Sequence, residues 1–344
     1  VLEKYLLSPQ SLKQELDAIP AADRPTWVVI DEVQKAPKLL NVVHQLIESK
    51  SRLQFALTGS SGRRLKQRGV NLLAGRAFVE NLFPLTHIEL GNKFDLTSAL
   101  GWGTLPKLMH LRSAEDKAEF LRAYTLTYLK SEIQEEQWVR QIEPFRKFLP
   151  VAAQMNGKPL NYSSLERDVG VSSLTIQSYY EILEDTLLGF HLPGFSKSVR
   201  KQQRKASKFY FFDLGVKRTL SRQLNIPMIS ETYEYGNAFE HFLVCEIYRL
   251  NQYYKKDFEL SYLQTKNDAE IDLILDRPGM KIALIEIKSA KRVDERHTRT
   301  LEMFLKDINR SEGFLLSQDP TPKKIGRVLA LPWNRGLIEL GLDR

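Results

Sequence analysis

The chain has 344 residues, 42% hydrophobic and 27% charged, with a formal net charge of +8. That length suffices for two or three domains, each burying its own core, and the positive balance favours an anionic partner. One cysteine, Cys245, excludes an internal disulfide and a zinc site, no apolar run approaches the ~20 residues of a membrane helix, and no signal peptide opens the chain, so a cytoplasmic protein without a membrane partner is expected.

Residues 27–31, WVVID, read as a buried parallel strand, apolar on both faces. The strand runs into Asp31-Glu32, a pair of acids of the kind that holds magnesium and orients water in phosphoryl transfer. Such acids need a phosphate cradle upstream, and no G-x-x-x-x-G-K-S/T occurs: GSSGRR (59–64) lacks the lysine, and GKP (157–159) has no glycine five residues earlier. The chain opens on Val1, and the residues before Asp31 begin with no strand-glycine-helix signal. The expectation is a core truncated at its N-terminus, with the cradle before Val1.

A helix is predicted over 38–50, with Leu39, Val42, Val43, Leu46 and Ile47 at helical spacing. RLQFALTGS (52–60) is a second buried strand running into Thr58-Gly59-Ser60-Ser61, and AFVENLFPL (77–85) a third after a Gly75-Arg76 turn. Strand, helix, strand, strand makes an α/β core over 1–105, bounded by the glycines and proline among polar residues at 91–106. Residues 106–156 read as a helical linker or lid, with Phe120, Leu121, Tyr124 and Tyr128 along one face.

The stretch NYSSLERDVGVSSLTIQSYYEILEDTLLG (161–189) reads as helix, turn and helix, and GFHLPGF and KFYFFDLG supply two strands, so 157–225 is expected to be a winged helix. The helix that would enter a groove offers Ser172, Ser173, Thr175, Gln177 and Ser178, then Glu181, Glu184 and Asp185, with no lysine or arginine. Phosphates repel those acids. KSVRKQQRKASK (197–208) carries Lys197, Arg200, Lys201, Arg204, Lys205 and Lys208 without an acid. It is either a solvated loop or a wing gripping the DNA backbone without sequence preference.

The last third, 226–344, opens with a helix containing YGNAFEHFLVCEIYRL (235–250). EIDLIL and ALIEIK alternate as two strands of a hairpin linked by DRPGMK. Asp272 lies on the first strand, and Glu286 and Lys288, two apart on the second, project from one face. Two carboxylates that hold Mg²⁺ and a lysine that steadies the nucleophile are what metal-dependent phosphodiester cleavage needs, and Glu240 on the preceding helix offers a third carboxylate. The plainer alternative is a surface hairpin with a Glu-Lys pair. The acids nonetheless sit at strand centres, where charge is costly without a partner.

In order, VVIDEVQKAP, FALTGSS, LLAGR, LFPLTHIEL, VGVSSLTIQSYYEILEDT, KFYFFDLGV, GNAFEHFLVCEI, AEIDLIL and IEIKSA resemble a widespread bacterial and archaeal family of AAA-type P-loop ATPases fused to a C-terminal domain of restriction-endonuclease-like pattern. The resemblance implies ATP and Mg²⁺ as cofactors, Asp31 on magnesium, Glu32 polarising water, and Ser60 or Thr58 sensing the γ-phosphate. It implies that Arg76 contacts nucleotide charge, in cis or across the interface of a homo-oligomer. It also implies that Asp272, Glu286 and Lys288 match the nuclease-fold motif, with Glu240 as its helical acid. Two function classes follow: an ATP-driven, DNA-associated enzyme whose C-terminal domain cuts nucleic acid, or a nucleotide-responsive module that binds DNA or protein without cleavage.

Overall fold

The computed structural model describes residues 2–20, 24–49, 52–59, 75–127, 133, 139, 142–196, 206–265 and 269–343. The chain divides into two compact units, Val1–Glu80 with Asp185–Leu187, and Asn81–Glu184 with Leu188–Arg344. Among the described residues no helix is long and apolar enough to cross a membrane.

In the first unit, α1 (Leu2–Leu7) and α2 (Ser11–Asp17) precede β1 (Thr26–Ile30), α3 (Leu39–Glu48) and β2 (Leu53–Leu57). The strands pair in parallel from Thr26↔Leu53 to Ile30↔Leu57. A parallel pair requires a crossover, which α3 provides. Its Leu39, Leu40, Val42, Val43 and Leu46 are buried, the i, i+3, i+4, i+7 stripe of an amphipathic helix, against Ile30 and Phe55.

Two expectations change here. β1 is not buried on both faces: Trp27 and Val29 are 65% and 66% exposed, because α3 covers only the alternate residues of the pair. Residues 77–85 form no strand. Phe78 is 93% exposed, and Phe83 acts as a plug, its amide donating to the Tyr253 hydroxyl (3.0 Å) and its ring edge-on to Tyr248 and Tyr253.

The second unit begins with α4 (His87–Leu90), α5 (Leu96–Trp102), α6 (Ala114–Thr127) and α7 (Ile142–Gln154). The composition boundary at 91–106 falls inside this unit, where Ala99 and Leu100 of α5 are buried in its core. Next come α8 (Tyr162–Val169), α9 (Ser173–Asp185) and an antiparallel pair, β3 (Gly189–Leu192) and β4 (Lys208–Phe211). Gly170 ends α8 at φ +80°, a left-handed turn where a side chain is strained, and Glu166 Oε1 accepts from the Ser173 amide (2.5 Å) to cap α9. Phe145, Phe148, Ile176, Tyr180, Leu183, Phe209 and Phe211 share one core, which joins helices to ribbon.

After α10 (Leu214–Leu220) comes the long α11 (Tyr233–Tyr253), then β5 (Glu259–Gln264), β6 (Glu270–Asp276), β7 (Ile282–Lys288), α12 (Arg299–Asp307), β8 (Ser311–Ser317), β9 (Lys323–Ile325), β10 (Val328–Pro332) and α13 (Trp333–Glu339). The sheet order is β5-β6-β7-β8-β10-β9, with β7-β8 and β8-β10 parallel and the other pairs antiparallel. Phe239 and Phe242 of α11 pack with Leu273, Ile285 and Ile287, while Leu301 and Leu305 of α12 pack with Ile274 and Leu284. Helices thus cover both faces of β6 and β7, and an ionised group there needs a partner.

Buried polar groups tie the segment after the first unit to this core. The His87 amide and Nδ1 lie 2.6 and 2.5 Å from Glu246 Oε1, and Asp213 accepts from Thr104 N (2.8 Å) while capping α10 through Val216 N (3.1 Å). The Arg218 guanidinium donates to the carbonyls of Gly101, Gln223 and Ile226. His241, buried and pulled down to about 3 by that burial, lies between the Phe211 carbonyl and the Asn156 amide. Burial likewise pushes the Cys245 thiol up to about 12, as befits a small core residue.

Candidate functional site

Ligands of open α/β sheets bind outside the carboxyl ends of the strands. The register Ile30↔Leu57, continued one step, sets Asp31 beside Thr58 at that end of the parallel pair. The Thr58 hydroxyl donates to Asp31 Oδ1 and accepts from the Glu32 amide (3.2 Å). Glu32 has φ +53°, a left-handed conformation costly outside glycine and concentrated at functional turns. Its Oε2 is held by Gln34 Nε2 (3.0 Å) and Lys35 Nζ (3.3 Å).

Asp31, Glu32 and Thr58 are therefore brought together, and Ser60 lies outside the described residues. Arg76 pairs with Glu48 (2.6 Å) at the C-terminal end of α3, the end that leads into the start of β2 and so lies away from the Asp31 mouth.

The second cluster forms where β6 and β7 meet. Leu273↔Ile285, continued one step, sets Asp272 opposite Glu286. Asp272 Oδ2 accepts from the Ile287 amide (2.7 Å) and lies 4.0 Å from Lys288 Nζ, which is 2.6 Å from Glu286 Oε1. Asp272 and Glu286 are only 8% and 7% exposed, and Glu286 Oε2 is buried with no hydrogen-bond partner. Burial first, and then Glu286 and Glu240, hold the Asp272 carboxyl well above the usual carboxylate range, and burial likewise raises Glu286 against the pull of Lys288. Burial works against the Lys288 ammonium, yet Asp272 and Glu286 outweigh it and keep its pKa above the ordinary lysine value.

Glu240 faces the same cavity, of about 420 Å³, but is otherwise engaged. The Tyr210 hydroxyl donates to its Oε1 (2.7 Å), and Lys208 Nζ stands 3.7 Å away while contacting Glu270. Among the described residues no group of three or more His, Cys, Asp or Glu side chains is arranged to hold a metal ion. The expected set of Asp272, Glu286 and Glu240 around magnesium thus does not fit this arrangement: Glu240 Oε1 is engaged by the Tyr210 hydroxyl with Lys208 Nζ 3.7 Å away.

Lys208, expected in the basic loop or wing of 197–208, is instead buried at the start of β4 and paired with Glu270 and Glu240, and Tyr210 and Glu270 were not expected at the site at all. The available signal was a lysine opening the apolar run KFYFF, where a charge needs a buried counterpart. Arg200, Lys201, Arg204 and Lys205 lie outside the described residues, between β3 and β4.

Three family models match successive stretches of the chain. Residues 2–91 match the family described as AAA domain, 93–226 a domain of unknown function (DUF8612) and 235–335 a domain of unknown function (DUF4143). Uncharacterized proteins of Mycobacterium bovis (Mb2031c) and Mycobacterium tuberculosis (Rv2008c) are each 26% identical over 258 residues, which is 73% of this chain and 56% of theirs. The chain thus spans little more than half the length of these relatives. It carries, from its N-terminal end, an AAA domain followed by two domains of unknown function.

Proposed function

We propose that this chain is the body of an AAA-type ATPase that works on or with DNA. The observation that carries the ATPase reading is Asp31 paired with Thr58 at the carboxyl ends of neighbouring parallel strands, within the residues that match an AAA domain. A carboxylate beside a hydroxyl is hard-oxygen donor chemistry, so these residues fit a magnesium-nucleotide. When bound, that group supplies the phosphoryl to be transferred and neutralises its charge. Asp31 then positions the charge, Glu32 orients the attacking water and takes its proton, and Thr58 or Ser60 registers the terminal phosphate. Arg76 contacts nucleotide charge only if it leaves Glu48.

α8 and α9 with the β3-β4 ribbon support a winged helix, and the basic stretch between those strands supports backbone contact with DNA. For residues 235–335 the geometry favours a binding role over cleavage, since Glu240 is taken up by Lys208 and Tyr210. A restriction-endonuclease-like cleaving site at Asp272, Glu286 and Lys288 is the second reading, favoured by the unpartnered Glu286 Oε2.

The test of the first reading is steady-state ATP hydrolysis by the full-length protein. Glu32→Gln is expected to lower turnover by roughly a hundredfold or more, the worth of a general base, while ATP still binds. Unchanged turnover would refute the role given to Glu32.

A further inference from the structure

Four carboxylates line the C-terminal cavity, Glu240, Glu270, Asp272 and Glu286, and two of the ammonium groups there, Lys208 and Lys288, pair with them. Lys288 belongs to the same hairpin as the acids. Lys208 comes from β4, more than sixty residues earlier, and is 2% exposed. Its ammonium contacts Glu270, stands 3.7 Å from Glu240, and lies 5.0 Å from the centre of the Tyr262 ring. Tyr210, two residues along and so on the same face of β4, donates to the same oxygen of Glu240. One strand therefore supplies both groups that occupy Glu240. With Lys158 also lining the cavity, four carboxyl groups face three lysines, and Glu286 Oε2, on a residue more than nine-tenths buried, has no partner. That combination gathers carboxyl oxygens of the kind a divalent cation takes, in an arrangement that does not close on a metal, with a buried lysine set among them.

We infer that Lys208 is a built-in counter-cation that excludes a divalent metal from Asp272, Glu286 and Glu240, so that metal enters this pocket only when the Lys208 ammonium is absent or withdrawn. The inference is independent of the ATPase reading, because it concerns metal affinity and no turnover.

The test is Mn²⁺ titration of the full chain by calorimetry and by the electron paramagnetic resonance of free Mn²⁺, without nucleotide. Lys208→Met, which keeps the aliphatic bulk over Tyr262, is expected to bind one Mn²⁺ roughly a hundredfold more tightly than the unaltered protein, the scale on which buried carboxylates stripped of their cation respond. Adding Glu286→Gln to Lys208→Met is expected to abolish that gain. Equal affinity in the unaltered protein and Lys208→Met would overturn the inference, as would a gain that survives Glu286→Gln. Should Lys208→Met fail to fold by circular dichroism, Lys208→Gln replaces it, and tight one-site binding at Asp272 by the unaltered protein, lost in Asp272→Asn, overturns the inference without either variant.

Discussion

Replacing Asp272 by asparagine should make the protein more stable at neutral pH. Opposed residues of an antiparallel pair sit ~5 Å apart, and at an effective dielectric of ~20 two carboxylates at that distance repel by about 3 kcal/mol. Lys288, 4.0 Å from Asp272, returns about 4 kcal/mol on the same scale, but its side chain is 40% exposed and water screens the attraction to roughly half. Burial of Asp272 then decides the sign against the ionised form, in line with a carboxyl held above its ordinary range by burial and by Glu286. Asparagine retains an acceptor for the Ile287 amide (2.7 Å) and removes the charge. The expected gain is about 1–2 kcal/mol, near 2–4 °C in Tm for each kcal/mol in a unit of this size. Because the folded carboxyl has the higher pKa, the native state binds more protons than the unfolded chain between the two values. Stability of the unaltered protein therefore falls as pH rises from the carboxylate range towards the raised value. The advantage of Asp272→Asn should be smallest near pH ~4 and grow as pH rises through the raised value, then level off. Thermal unfolding by circular dichroism across that range measures it. A lower Tm for Asp272→Asn at neutral pH, or an advantage that does not change with pH, would refute the reasoning.

Two further outcomes concern the buried polar ties. Glu246 is wholly buried and receives the His87 amide while standing 3.7 Å from Arg249, so Glu246→Ala should cost about 3 kcal/mol in urea unfolding; a loss below ~0.5 kcal/mol would show that the tie is dispensable. A Cβ on Gly215 would lie 2.0 Å from the Trp102 carbonyl oxygen, so Gly215→Ala should cost about 1–3 kcal/mol by forcing α5 and α10 apart, and an unchanged urea midpoint would contradict that close crossing.

What the sequence disclosed was whatever lies within one element or between neighbours joined by a short turn. The stripe of α3 and the paired strands around it follow from periodicity, and the i, i+2 spacing of Glu286 and Lys288 correctly put both on one face opposite Asp272. Residues 77–85 misled because a short apolar run has no period of its own: Phe83 is a plug on α11, while Phe78 and Leu82 face solvent. DRPGMK was rightly a turn, yet its Arg277 is fully buried, donating to the Lys281 carbonyl (2.8 Å) and pairing with Glu312 on β8. Nothing in a turn motif announces such a partner.

The same limit governs the chemistry of the C-terminal cavity. A motif of acids on a hairpin states which oxygens are adjacent, but whether they can hold a cation depends on every other charge that folding brings to them. Here that charge is Lys208, contributed by a strand that pairs with β3 and belongs to a different stretch of chain. Spacing along β6 and β7 could not reveal it, since sequence separation between Lys208 and Glu270 carries no periodic signal. Glu240 illustrates the consequence: its helix delivers it to the acids as expected, and β4 then pairs it with an ammonium and a phenol instead of leaving it open to metal. The spacing of the acids suggested a cation site, whereas in the fold Lys288 stands on Glu286 and Asp272, Lys208 stands by Glu240, and the acids are not arranged around a metal.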